Sequence, residues 1–422
     1  MQEDFLHYIW QYQKFSANTL TTVSADEVYV LSVGGYNTDS GPDFYNSKLR
    51  IDGQLWVGTV ELHLKSSDWF VHQHQDDSAY ENVILHVVWE DDVAVFDKHN
   101  NQLQTLVLKN YVDENLLLNY TSLLEKKNWI NCENQIHKID ELTMTFWKEK
   151  LLVKRLERKA LVFQKRLTEL NNDWEAVLFL TLAENFGLKL NFEQFLQLAR
   201  NISFSKFKKE CSSLINIEAL LFGQANLLNN DIEDAYYQKL KTEFNYLKQK
   251  YQLNDSLVKL QFFRMRPAGF PTLRLSQFAV LYKTHQNLFS KVIEKQSITE
   301  LREIFVVSAS DYWDTHYTFG KVSIKRKKSI SKSFVNLLIL NVIIPLKFMY
   351  ARSQGVDNFE SLFKLYNSLQ PEQNTVIKRF EQLKISVKSA ADSQALIEMK
   401  TRFCDKQKCL HCEIGNKLLY QS

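Results

Sequence analysis

The apolar residues of this chain change their period twice, from helical to two and back, and those switches limit the folds open to it. From about Glu27 to Lys109, β-branched and aromatic residues alternate with polar ones in EVYVLSV, SKLRID, LWVGTVELHLK, NVILHVVWE, VAVFD and QTLVLK. A period of two marks strands, and the turn signals at Asp52-Gly53 and Asp97 to Gln102 separate them into hairpins. Ahead of the strands, Phe5, Leu6, Ile9, Trp10 and Phe15 fall close to helical spacing. Glu3 and Asp4 suit the positive end of that helix. After about Glu114 the period becomes helical, in segments such as FWKEKLLVKRLERKALVFQKRLTEL, DWEAVLFLTLAENFGL and FESLFKLYNSLQ. GLKLNFEQFLQLAR breaks at Gly187 and offers Asn191 as an N-cap. The pattern predicts an α/β (α+β) domain over residues 1–115. A large all-α domain over 116–422 follows, ending in a cysteine-rich tail at 404–412.

Composition excludes more than it identifies. A chain of 422 residues exceeds one ordinary core, and only 11 glycines and 5 prolines favour helices over turns. Fifty-two basic against 49 acidic residues leave +3, so any polyanionic partner must be recognised by a local patch. The acidic start MQEDFLHYIW lacks the basic leader and apolar run of a secretory signal. FVNLLILNVIIPL, Phe334 to Leu346, is short for a membrane span and carries two asparagines and a proline, so it reads as a buried core helix. Five cysteines, three of them near the C-terminus, do not form a secreted disulfide framework. A cytoplasmic protein without a membrane partner is expected.

The chemistry concentrates in SGPDFYNSKLRIDGQLWVGTVELHLKSSDW, Ser40 to Trp69. Strand alternation places Glu61, His63 and Lys65 on one face and Val60, Leu62 and Leu64 on the other. If the preceding strand brings Asp43 alongside, two carboxylates converge beside a basic group. Two carboxylates suit Mg²⁺ or Mn²⁺, which can activate water toward a phosphodiester. The competing reading is a solvated strand face beside a Gly-Pro turn.

Asp43 of GPDF followed by Glu61 of VELHLK, with a helix before and a sheet around, resembles the restriction-endonuclease-like PD-(D/E)XK superfamily over about the first 110 residues. The resemblance implies an endonuclease-like domain with Asp43 and Glu61 as metal ligands and Glu3 as an accessory acid. It also implies a metal-dependent nuclease. His63 stands where that superfamily has lysine, so Lys65 or His63 would assist the water. The alternative is a non-catalytic nucleic-acid-binding or scaffold protein on a degenerate nuclease fold. Over most of its length the chain also resembles a bacterial family known as a domain of unknown function. The carrying segments are GPDF, VELHLKSSDW, IEALLFGQANLL, RMRPAGFPTLRLSQFA and YWDTHYTFG.

Three further groups stand out. His72 and His74, in DWFVHQHQDD, would share a strand face near Asp68, Asp76 and Asp77. With carboxylates they offer a site for Zn²⁺, Mn²⁺ or Fe²⁺, a third reading as a histidine-ligated hydrolase. His86 reads as a sheet histidine. Cys404, Cys409 and Cys412 have spacing for Zn²⁺ and lack a near fourth ligand apart from the awkwardly placed His411, so Cys132 or Cys211 are the remote candidates. An iron–sulfur cluster would need the same. Finally, KVSIKRKKSISK, Lys321 to Lys332, is basic without an acid and is the better candidate for phosphate contact with nucleic acid. RMRPAGFPTLRLSQFA reads as packing.

Overall fold

The computed structural model describes residues 3–17, 19–37, 39–124 and 128–420. A mixed sheet near the N-terminus is followed by a large helical region, as the change of period implies. The described residues form two compact units. The first draws on Met1–Trp147, Arg379–Ile385 and Ile397–Ser422, and the second on Lys148–Lys378 and Ser386–Leu396. The cysteine-bearing tail is therefore part of the first unit.

That unit opens with helix α1, Glu3–Gln11, whose Phe5, Leu6, Ile9 and Trp10 are fully buried. Seven strands follow: β1 Leu20–Thr21, β2 Glu27–Ser32, β3 Gly35–Tyr36, β4 Phe44–Ile51, β5 Gln54–Lys65, β6 Val83–Glu90 and β7 Thr105–Val107. Their order is β1-β2-β4-β5-β6-β7, with β3 also paired to β4. β4 and β5 form an antiparallel hairpin across Asp52 and Gly53, which both take positive φ, 46° and 79°. Positive φ at both central residues is what a tight hairpin of this twist requires.

β6 runs parallel to β5, and β7 parallel to β6. Parallel neighbours need a crossover to bring the chain back to the starting edge. The crossover here is helix α2, Asp68–Val71, with short 3₁₀ turns at His74–Asp76 and Ser78–Tyr80. His72 and His74 thus sit on helical turns and not on the expected strand. VAVFD likewise fails to form a strand and keeps a single bridge, Phe96 to Gln102. The edge of β6 that it would need is taken by β7.

The second unit is built from helices around a core rich in aromatic rings. Phe179, Phe207, Phe278 and Tyr282 pack within 4.7 to 6.1 Å of one another, centroid to centroid. Fully burying one such ring contributes about 1.5–3 kcal/mol. The apolar segment is part of a 22-residue helical stretch, Lys332–Ser353, long and apolar enough to cross a membrane. Two-thirds of its most apolar window is buried (67%). Asn191 interrupts its helix, Leu188–Ile202, with φ −119° and ψ 22°, while its side chain bonds the backbone of Gln261 in both directions.

Candidate metal centre

The GPD turn is shaped so that its aspartate enters the sheet beside β5. Gly41 takes a φ of 103°, open to glycine, and the Asn37 amide donates to the carbonyls of Ser40 and Pro42. Phe44 then pairs with Val60, which sets Asp43 opposite Glu61. The Asp43 amide donates to Glu61 Oε2 at 3.0 Å, and the Leu62 amide donates to Asp43 Oδ2 at 3.0 Å. The two expected carboxylates are joined in this way.

The imidazoles approach from the other side of Glu61. Its Oε1 lies 3.5 Å from His63 Nε2 and 3.4 Å from His74 Nε2. His63 Nε2 is 3.1 Å from His72 Nδ1. One ligand nitrogen from each of His63, His72 and His74 lies within 4.8 Å of the other two. His63 is buried on β5 and His72 is exposed, while the His74 ring stacks on Tyr80 at 3.8 Å and meets Trp69 edge-on. Behind His63, its Nδ1 is 2.8 Å from His86 Nε2 on β6. His63 and His86 lie on adjacent parallel strands, so the sheet itself backs the ring. Such a contact fixes which imidazole nitrogen faces forward.

α1 completes the cluster. His7 Nε2 lies 3.1 Å from Asp43 Oδ2, and Tyr36 Oη is 3.2 Å from His7 Nδ1. Neither residue was legible as part of a site from spacing alone. The available signal was Glu3 and His7 four residues apart on the face of one amphipathic helix. Glu3 is half-buried on that face, and burial raises its pKa, with His7, Asp43 and His72 among the charges it feels. Lys65 does not join. Its side chain is exposed beyond the end of the row, and its backbone amide donates to Asp68.

Electrostatics set the protonation of this group. Burial, and then the charge of Asp43, push Glu61 up to about 9. Burial and the neighbouring imidazoles push His63 down to about 2, and burial holds His86 at about 3. His63 and Glu61 are therefore close without being an ion pair. Burial works to lower the pKa of His7, but the hydrogen bond and charge of Asp43 outweigh it and hold it up. Burial lowers His74. Neutral imidazole is the ligand form for a metal.

The other expected groups lie elsewhere in the fold. Cys404, Cys409 and Cys412 are on turns of the tail, while Cys211 is in the second unit with its sulfur directed at the Phe207 carbonyl. Of the basic stretch in the second unit, Lys321, Lys325, Arg326, Lys327 and Lys332 are exposed. Lys328 is buried and bonds the carbonyls of Asp314 and Arg326. Arg274 is also buried, with its guanidinium 3.8 Å over the Phe334 ring. Arg264 and Arg266, in contrast, are exposed.

The fold and this cluster define an α+β protein with a carboxylate–imidazole group gathered at the central strands of a mixed sheet and the helical turns beside them. The chain belongs to the family described as Protein of unknown function (DUF2851), whose model matches residues 3–375. No curated protein and no solved structure matches it.

Proposed function

We propose that this protein is a metal-dependent phosphodiesterase acting on nucleic acid, with its ion held by Glu61, His63, His72 and His74. The observation that carries the reading is the convergence of three imidazole nitrogens within 4.8 Å of one another beside Glu61 Oε1. An imidazole-rich donor set with one carboxylate suits Mn²⁺, Zn²⁺ or Fe²⁺ better than Mg²⁺, which prefers oxygen. A bound ion of this kind lowers the pKa of water and stabilises charge on a phosphoryl oxygen.

The roles of the chain's own residues follow from their contacts. His86 orients His63, and the Asp43 amide orients Glu61. Asp43, held by His7 and the Leu62 amide, would keep a second carboxylate charge beside Glu61. The endonuclease-like reading is supported by Asp43, in the turn just before β4, meeting Glu61 of β5 after an N-terminal helix. The lysine of that superfamily's motif has no counterpart in the cluster, since Lys65 is exposed and His63 is turned to the ligand set. Taken by itself, the second unit carries exposed Lys321, Lys325, Arg326 and Lys327 as candidates for phosphate contact.

The test is cleavage of single- and double-stranded DNA and RNA with Mn²⁺, Zn²⁺ or Mg²⁺. Turnover is expected with Mn²⁺ and lost in Glu61→Ala. Equal turnover in wild type and variant would remove Glu61 from the reaction. Binding that weakens with salt, survives Glu61→Ala and never leads to cleavage would establish the non-catalytic reading instead.

A further inference from the structure

A second group of potential ligands lies in the first unit, apart from the histidines. Cys132, Cys404, Cys409 and Cys412 together line one small apolar cavity of about 20 Å³. All four are free thiols. They come from two distant parts of the sequence, and each is placed by specific packing. Cys132 follows Trp129, whose ring packs edge-on against Phe380 at 4.8 Å and lies under the ammonium of Lys400 at 5.2 Å. Cys404 ends a π-helical turn, Lys400–Cys404, a local widening of the helix that is frequent at functional positions.

Cys409 begins a 3₁₀ turn, Cys409–His411, and accepts a hydrogen bond from the Asn131 amide at 3.5 Å. Cys412 precedes helix Glu413–Leu419 and receives backbone N–H groups of Ile414 and Gly415 at its sulfur. Gly415 is needed for this approach. A Cβ there would stand 2.1 Å from the Cys409 carbonyl oxygen. His411, the neighbour that sequence spacing offered as a ligand, is exposed and does not line the cavity.

We propose that these four cysteines form a four-thiolate metal centre that fastens the C-terminal segment to the Cys132 loop. Four thiolates are the ligand set of a structural zinc ion and of an iron–sulfur cluster. The amide donors from Asn131, Ile414 and Gly415 are placed to stabilise sulfur carrying negative charge. The sulfurs surround a space without pairing as disulfides. Among the described residues, the ligand group drawn within 4.8 Å on every side is the histidine group and not this one. Closing a loop that includes most of the chain is where such a link adds most to folding.

The experiment is elemental analysis of the purified full-length protein, with acid-labile sulfide and a visible spectrum, for wild type, Cys132→Ser and Cys211→Ser. One zinc per chain, or iron with matching sulfide and a broad visible band, supports the centre and tells its two forms apart. The metal should be lost in Cys132→Ser and kept in Cys211→Ser. Should Cys132→Ser fail to fold, thiol titration of wild type decides. Four thiols should become reactive only after a chelator is added. Wild type free of zinc and iron, or all four thiols reactive without chelator, would overturn the proposal.

Discussion

Two buried glutamates, one in each unit, show how differently a fold treats a carboxyl group. Glu218, on helix Leu214–Gln224 of the second unit, accepts from Ser276 Oγ at 2.5 Å, Ser310 Oγ at 2.9 Å and the Tyr236 hydroxyl. Glu61 accepts one backbone amide, from Asp43, and otherwise faces the nitrogens of His63 and His74. Both are buried and both have raised pKa values, with burial the largest cause. The difference lies in the surrounding donors. Three hydroxyls satisfy Glu218, that of Ser276 tying IEALLFGQANLL to RMRPAGFPTLRLSQFA, whereas imidazoles gathered around Glu61 offer lone pairs that a cation would satisfy. A perturbed pKa alone would not separate the two.

That contrast can be broken in order of expected effect. Glu61→Ala should cut metal-dependent turnover at least a hundredfold, roughly 3 kcal/mol or more in the barrier, while leaving the folded state intact by circular dichroism. Glu218→Ala should do the reverse. It removes the shared acceptor of buried Ser276 and half-buried Ser310 and Tyr236 and should cost about 2 kcal/mol in chemical denaturation, with turnover per folded molecule unchanged. If both variants behaved alike, the contrast would fail.

A smaller effect sharpens the same point. Mn²⁺ at a hundred times its dissociation constant should stabilise wild type by about 2.7 kcal/mol, read as a rise in Tm. The rise should be absent in His74→Ala. An equal rise in the variant would place the ion elsewhere.

The second unit also provides a pH control that does not involve the cluster. Burial pushes Lys347 down to about 8, and its ammonium donates to the Ile293 carbonyl at 2.7 Å. In the unfolded chain lysine titrates near about 10.4. Between those values the unfolded chain holds the extra proton, so folding stability rises with pH through that window. Wild type should gain about 2 kcal/mol more than Lys347→Met between pH 8 and 10. Parallel pH profiles would show that Lys347 titrates normally.

How much of this was readable in the sequence depends on the range of the contacts. The sheet, the helical region and the Asp43–Glu61–His63 grouping follow from the period of two and a hairpin turn, which are local. His72 and His74 were visible as a pair, but their element was misassigned, because only the parallel pairing of β5 with β6 demands a crossover there. Lys65 shares the face of Glu61 by alternation, yet β5 ends at that residue and leaves it in solvent. His7 and Tyr36 depend on α1 and β3 meeting Asp43, a tertiary fact with only the Glu3–His7 spacing as a hint. Joining Cys132 rather than Cys211 to the tail cysteines likewise required the packing of Trp129.

The most direct measurement is calorimetric titration of the full-length protein with Mn²⁺, in wild type, Glu61→Ala and His74→Ala. One binding site in wild type, absent or weakened at least tenfold in both variants, is the result expected of an ion held between Glu61 and the imidazoles. Unchanged binding in both variants, or none in wild type with Mn²⁺ and Zn²⁺ alike, would contradict it.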